Sequence, residues 1–113
     1  MHEMALSESI LQILEEQARV QGFSRVRRVR LEVGALSCVE PEALRFHFEV
    51  VTRGSLAEGA DLEILPVPGS GWCLPCQRPV EVHSALDACP HCGGYQVEVT
   101  GGEELQVKDL EVA

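Results

Sequence analysis

No apolar run in this sequence approaches the roughly 18 residues that a bilayer-spanning helix needs, and no basic segment leads into a hydrophobic one near Met1. A membrane protein is therefore not expected, nor a secretory leader. Positive charge is scarce as well: nine basic residues stand against eighteen acidic ones, for a net charge of −9, and only 4% of the residues are aromatic. A nucleic-acid binder needs a basic footprint and usually aromatic stacking surfaces, so binding to nucleic acid is not expected. A disulfide framework is also missing, because five cysteines is an odd number and four of them form close pairs. That usage suits metal ligation in a reducing compartment, and the expected location is cytoplasmic. There is no internal repeat and no low-complexity segment.

With 113 residues, the chain has room for one main module and a satellite. Leu6, Ile10, Ile13, Leu14 and Ala18 recur at three- and four-residue steps between Ala5 and Gln21, which predicts an amphipathic helix capped by Gly22. Val29, Leu31 and Val33 alternate with arginines and Glu32, the period of a half-buried strand ending at Gly34, with Val26 out of phase. A second helix is predicted from Pro41 through Leu44, Phe48 and Val51, closed by Gly54. A short strand follows at Leu62 and Ile64, ended or confined to an edge by Pro66 and Pro68, and Pro66–Gly71 reads as a linker. Extended pieces are expected at Val80–Val82 and Tyr95–Val99. The tail, Leu105 and Val107 then Leu110 and Val112, alternates in two phases, a strand with a bulge at Lys108-Asp109 that returns to the main sheet.

The fold class that follows is α+β with an inserted four-cysteine domain. Residues 1–68 and 102–113 form the main module and residues 69–101 the insertion.

Cys73-Leu74-Pro75-Cys76 and Cys89-Pro90-His91-Cys92 are two C-x-x-C pairs twelve residues apart. Each pair can sit on a tight turn aiming two sulfurs at one point, and two such turns complete the tetrahedron that Zn(II) prefers. Four protein ligands leave no open position for water, so the site is structural and the chain is not expected to be an enzyme. Coordination also supplies what so small a segment lacks in hydrophobic core. A redox dithiol, the competing reading, uses one such pair in a larger α/β setting. Cys38 stands alone and reads as a small buried hydrophobe.

Met1-His2-Glu3 carries a quieter signal. The terminal amine of Met1, the amide nitrogen of His2 and an imidazole nitrogen of His2 can close fused chelate rings around one ion, and Glu3 can add a fourth group. A nitrogen-rich, flattened set of this kind suits Ni(II) or Cu(II) more than zinc. Among the other histidines, His47 reads as a partly buried helix residue, and His83 and His91 as hydrogen-bonding neighbours of the cysteine set. Arg25, Arg27, Arg28 and Arg30 read as a solvated strand face.

Met1-His2-Glu3, the helix after it, Val33-Gly34-Ala35-Leu36-Ser37-Cys38-Val39-Glu40-Pro41, Arg53-Gly54-Ser55-Leu56-Ala57-Glu58-Gly59 and the paired cysteines, in this order, resemble the HypA/HybF family of hydrogenase nickel-insertion proteins. The resemblance implies a three-stranded sheet with two helices joined to a zinc-ribbon-like domain. It further implies transfer of Ni(II) to the large subunit of nickel-iron hydrogenase with the GTPase HypB, and in some members service to urease through its accessory proteins. Carried over by position, His2 is the essential nickel ligand with Met1 and Glu3 beside it, and Cys73, Cys76, Cys89 and Cys92 hold structural Zn(II).

The four cysteines alone fit a second function equally well, a zinc-ribbon module that binds protein or nucleic acid and transfers no metal. A zinc hydrolase fits poorly, because the strong site is saturated and no nucleophile-base pair is evident.

Overall fold

Leu6, Ile10 and Leu14 recur every fourth residue, the spacing that stacks side chains on one helical face, and all three are buried along α1, Glu3–Gln21. They are seen in a computed structural model that describes residues 3–84 and 86–113. Gly22, at φ 78°, takes the left-handed position that ends the helix, its amide returning 2.9 Å to the Ala18 carbonyl. Ile13, expected on the same face, is 47% exposed. About 100° around the helix from Leu14 but only about 20° from Leu6, it sits at one edge of the buried stripe and lines a groove of about 370 Å³ with Gln17, Phe23, Val107 and Leu110.

Strand β1 spans Val26–Gly34. Val26 and Val29 are both buried, with exposed Arg27 and Arg28 between them, so the alternation changes phase there before settling on Leu31 and Val33. Helix α2, Pro41–Val51, starts where Pro41 was expected to start it. Its N-cap is Glu40, whose carboxylate accepts the Ala43 amide at 2.7 Å, satisfying one of the orphan N–H groups of the first turn. The helix is closed by Thr52, earlier than the expected Gly54: the Thr52 amide and hydroxyl both donate to the Phe48 carbonyl, at 3.0 and 2.7 Å. Gly54 lies beyond the cap at φ 76°.

Strand β2, Asp61–Val67, contains Pro66, and β6 is Leu105–Val112. The sheet order β2-β1-β6 puts Pro66 on an edge strand, where its missing N–H costs no ladder bond, and brings the chain's tail beside β1 as expected. In β6 consecutive Lys108 and Asp109 are both exposed, which is the phase change seen in the sequence. Two of the three arginines of β1 are paired within this sheet. Arg28 reaches Asp61 at 3.7 Å and Glu111 at 3.8 Å, and Arg30 reaches Glu63 at 3.8 Å and Asp109 at 3.0 Å.

The expected linker at Pro66–Gly71 is strand apart from Pro68. Strand β3 is Gly69–Cys73, followed by β4, Arg78–Val82, and β5, Val97–Gly101, in a second antiparallel sheet ordered β4-β3-β5. The glycines that suggested a linker serve close approach instead. A Cβ on Gly69 would lie 2.4 Å from the Val82 carbonyl oxygen, and one on Gly71 would lie 2.6 Å from Val97 Cγ1.

The chain divides into two compact units. One comprises residues 1–31, 39–65 and 106–113, and its buried apolar residues come mainly from α1, α2, β1 and β2, Ile10, Leu14, Leu31, Leu44, Phe48 and Leu62 among them, with Ala57 from the turns before β2. The other comprises residues 32–38 and 66–105. Among the described residues it has Val33 buried and a small buried cluster of Cys73, Val80, Val82 and Cys89, with Leu36, Cys76 and Val97 packed against it. Two of the four buried members of that cluster are cysteines, too few apolar groups to hold a unit of roughly fifty residues unaided.

Candidate metal centre

Strand β3 ends at Cys73 and the chain turns over Leu74–Gln77 into β4, so Cys73 and Cys76 occupy the two sides of a hairpin tip. The Gln77 amide donates to the Cys73 carbonyl at 2.8 Å. A second turn repeats the first at the same offset: the Gly93 amide donates to the Cys89 carbonyl, also at 2.8 Å. The residue after the second cysteine of each pair is left-handed, Gln77 at φ 48° and Gly93 at φ 75°. Each turn thereby curls its main chain around its own sulfurs, and amides point at the thiols. His91 N–H donates to Cys89 Sγ at 3.4 Å.

The four Sγ atoms of Cys73, Cys76, Cys89 and Cys92 all lie within 4.8 Å of one another. Cys73 Sγ and Cys92 Sγ are 3.7 Å apart, close to the separation of about 3.8 Å between two corners of a tetrahedron with metal–sulfur bonds of about 2.3 Å. Cys73 and Cys89 are buried, Cys76 is half-buried and Cys92 is exposed. Such a set could hold a metal ion, and four converging sulfurs with amides donating to them fit structural Zn(II).

The thiols do not share one acidity. The amides of Cys92 and His91 favour the Cys89 thiolate strongly enough to outweigh burial and bring it to about 6. Hydrogen bonding to Cys73 and Cys92, with burial, pushes the Cys76 thiol up to about 12. The Cys76 amide draws Cys73 down, but burial and the Cys89 thiol together win, and Cys73 is raised. Amides that favour a thiolate at Cys89 amid converging sulfurs suit a cation that displaces thiol protons.

The remaining candidates are placed as follows. Met1 and His2 lie outside the described residues, and Glu3 opens α1. His83 and His91 are exposed, and their main-chain amides make the contacts seen here: His91 to Cys89, His83 to the Asp87 carboxylate at 2.8 Å. That amide and the Ser84 hydroxyl hold the Asp87 carboxyl below its ordinary range. His47 is half-buried and stands edge-on to Phe46, ring centres 5.5 Å apart. Cys38 corrects the expectation of a buried hydrophobe: it is exposed at φ 60° in the turn before α2, and it lies outside the cysteine set.

Two contributors were not visible in the sequence. Leu36, given no structural role from the sequence, packs on the cysteine core. Gly34, read as a strand terminator, is where the main chain crosses Gly102; a Cβ there would lie 2.1 Å from the Gly102 carbonyl oxygen. The available signal was a glycine closing a strand pattern, which marks close backbone approach as often as a turn.

Residues 1–112 match the family described as hydrogenase/urease nickel incorporation, metallochaperone, hypA. Hydrogenase maturation factor HypA of Acidithiobacillus ferrooxidans (strain ATCC 53993 / BNL-5-31) is 62% identical over 112 residues, 99% of each chain. The protein of the same name from Azotobacter vinelandii is 57% identical over the same share. Among solved structures, the solution structure of the Ni metallochaperone HypA from Helicobacter pylori superposes with a TM-score of 0.72, covering 99% of this chain and 97% of that one at 24% identity, a likeness of fold.

Proposed function

Because this chain belongs to the HypA family of nickel metallochaperones for hydrogenase maturation, we propose that it binds Ni(II) at Met1-His2-Glu3 and passes the ion to the large subunit of a nickel-iron hydrogenase. The observation that carries this reading is the extent of the family match, residues 1–112, which takes in the Met-His-Glu start as well as all four paired cysteines. His2 supplies an imidazole and an amide nitrogen, Met1 its terminal amine, and Glu3 a carboxylate or main-chain group. Ni(II) accepts such a flattened nitrogen set, whereas zinc prefers a tetrahedron. Ligands at a chain end can be exchanged one at a time for those of an acceptor, so the ion is held selectively and still released. The protein acts as a carrier, and nickel is its cargo.

Zn(II) on Cys73, Cys76, Cys89 and Cys92 is structural in this reading and stays with the chain. The proposed zinc domain is residues 69–101, which lie inside the compact unit of residues 32–38 and 66–105, and the proposed nickel domain is residues 1–68 and 102–113. The name shared by the curated relatives, hydrogenase maturation factor, supports work alongside other maturation proteins, and HypB is the proposed GTPase partner. Service to urease through its accessory proteins is the proposed second outlet, in line with the family's description. The proposed location is the cytoplasm; no helix among the described residues is long and apolar enough to cross a membrane.

The test is metal analysis of untagged protein combined with nickel titration. Wild type is expected to hold one zinc and take up one further nickel, and His2→Ala to keep the zinc and lose the nickel. Stoichiometric nickel in His2→Ala overturns the site; no nickel in either protein overturns the carrier reading.

A further inference from the structure

Strand β3 alternates buried Gly69, Gly71 and Cys73 with exposed Ser70 and Trp72. In an antiparallel sheet, residues in register share a face. Trp72 is flanked by Pro79 on β4 and Glu98 on β5, and Ser70 lies opposite Glu81. Thr100 joins the same face, its hydroxyl 3.3 Å from that of Ser70. The outer side of the sheet is thus a tryptophan, 38% exposed, set between a proline ring and two carboxylates.

The charges on this face are left uncompensated. On the other sheet every exposed carboxylate named above has Arg28 or Arg30 beside it. Among the described residues neither Glu81 nor Glu98 has an ion-pair partner. The one cation of this unit, Arg78, is in register with Cys73 and so belongs to the opposite side. Across residues 32–38 and 66–105, six carboxylates stand against that single arginine, and bound thiolates would add to the imbalance. An aromatic face between fixed negative charges is matched by arginine or lysine, whose planar or methylene stem covers the ring while its charge meets the carboxylates.

We propose that the Trp72 face of the β4-β3-β5 sheet is the docking surface for a basic segment of a partner protein. A second copy of this acidic chain would set carboxylate against carboxylate there. The surface lies on the cysteine-bearing unit and does not depend on where nickel binds.

Trp72 is the chain's one tryptophan, so its fluorescence reports on this face alone. The probe is a capped decapeptide of alternating arginine and alanine, titrated at low ionic strength into zinc-loaded protein. Binding is expected to change Trp72 emission. Glu81→Lys with Glu98→Lys should weaken it by about tenfold or more, while Glu8→Lys with Glu15→Lys, an equal charge change on α1, should cost less than about threefold. Zinc content verifies that each variant is folded. If the first pair loses zinc, Glu98→Gln replaces it, with a loss of about threefold expected. Equal weakening by both lysine pairs, peptide binding without a change in Trp72 emission, or no binding at all overturns the proposal. So does an emission change on dilution of the protein without peptide, which would assign the face to self-association.

Discussion

Cys73 Sγ and Cys92 Sγ stand 3.7 Å apart although nineteen positions separate them in sequence. The apolar cluster around them is small, two buried valines and two of the cysteines themselves with Leu36 and Val97 packed against it. With zinc in the proposed site, metal binding and the fold of this unit are expected to form one equilibrium. Stripping zinc with a chelator is expected to expose the amides of β3, β4 and β5 to hydrogen exchange while those of α1 around Ile10 and Leu14 stay protected. Uniform loss of protection through both units would show that the first unit does not stand on its own core.

The two cysteine turns differ in one respect that substitution can probe. Gly93 has open space around its missing Cβ at φ 75°, so Gly93→Ala adds no clash, only the cost of a left-handed backbone, about 1–2 kcal/mol. Gln77 already carries that cost at φ 48°. Gln77→Gly should remove it, offset in part by the extra freedom glycine gives the unfolded chain, for a net gain of about 0.5 kcal/mol. Zinc competition against a chromophoric chelator reads both: retention should fall for Gly93→Ala and hold or rise for Gln77→Gly.

The same turns mark how far sequence carries. Leu6, Ile10 and Leu14 announced α1, and two C-x-x-C pairs announced the cysteine set, because periodicity and ligand spacing are local properties. Gly69 and Gly71 misled, because glycine means a flexible connection or a close strand crossing according to what lies opposite, here the Val82 carbonyl and Val97. Ile13 obeys the helical period yet lies outside the core, since a helix stripe is wider than the surface it meets. Cys38 and Gln77 are left-handed without being glycine, a cost that only the surrounding fold can impose.

Arg30 lies between Glu63 and Asp109 at the centre of the first sheet. All three side chains are more than one third exposed, so water screens the pairing. Arg30→Ala should cost less than about 1 kcal/mol in denaturant unfolding. Leu14 is fully enclosed, and Leu14→Ala should cost about 2–5 kcal/mol through lost burial and the cavity left behind. If the two losses were reversed, ion pairing and not the apolar layer would hold this unit together.

At the proposed site, nickel held by the Met1 amine and the His2 nitrogens would have to displace protons to bind, and this sets the expected pH dependence. The reference acidity of a terminal amine is about 7.7–8.0, so below that range each displaced proton raises the apparent Kd about tenfold per pH unit. A proton can then loosen the ion before an acceptor takes it. Affinity near neutral pH is expected to be micromolar, about −8 kcal/mol. Isothermal titration at several pH values between about 6 and about 8, in buffers of different ionisation enthalpy, measures both the slope and the protons released. A residue added before Met1 moves the free amine away from His2 and should abolish the tight phase even though His2 and Glu3 remain. If the extended protein binds nickel as tightly as wild type, with the same proton release, the terminal amine is not a ligand, and the ion is held by side chains alone.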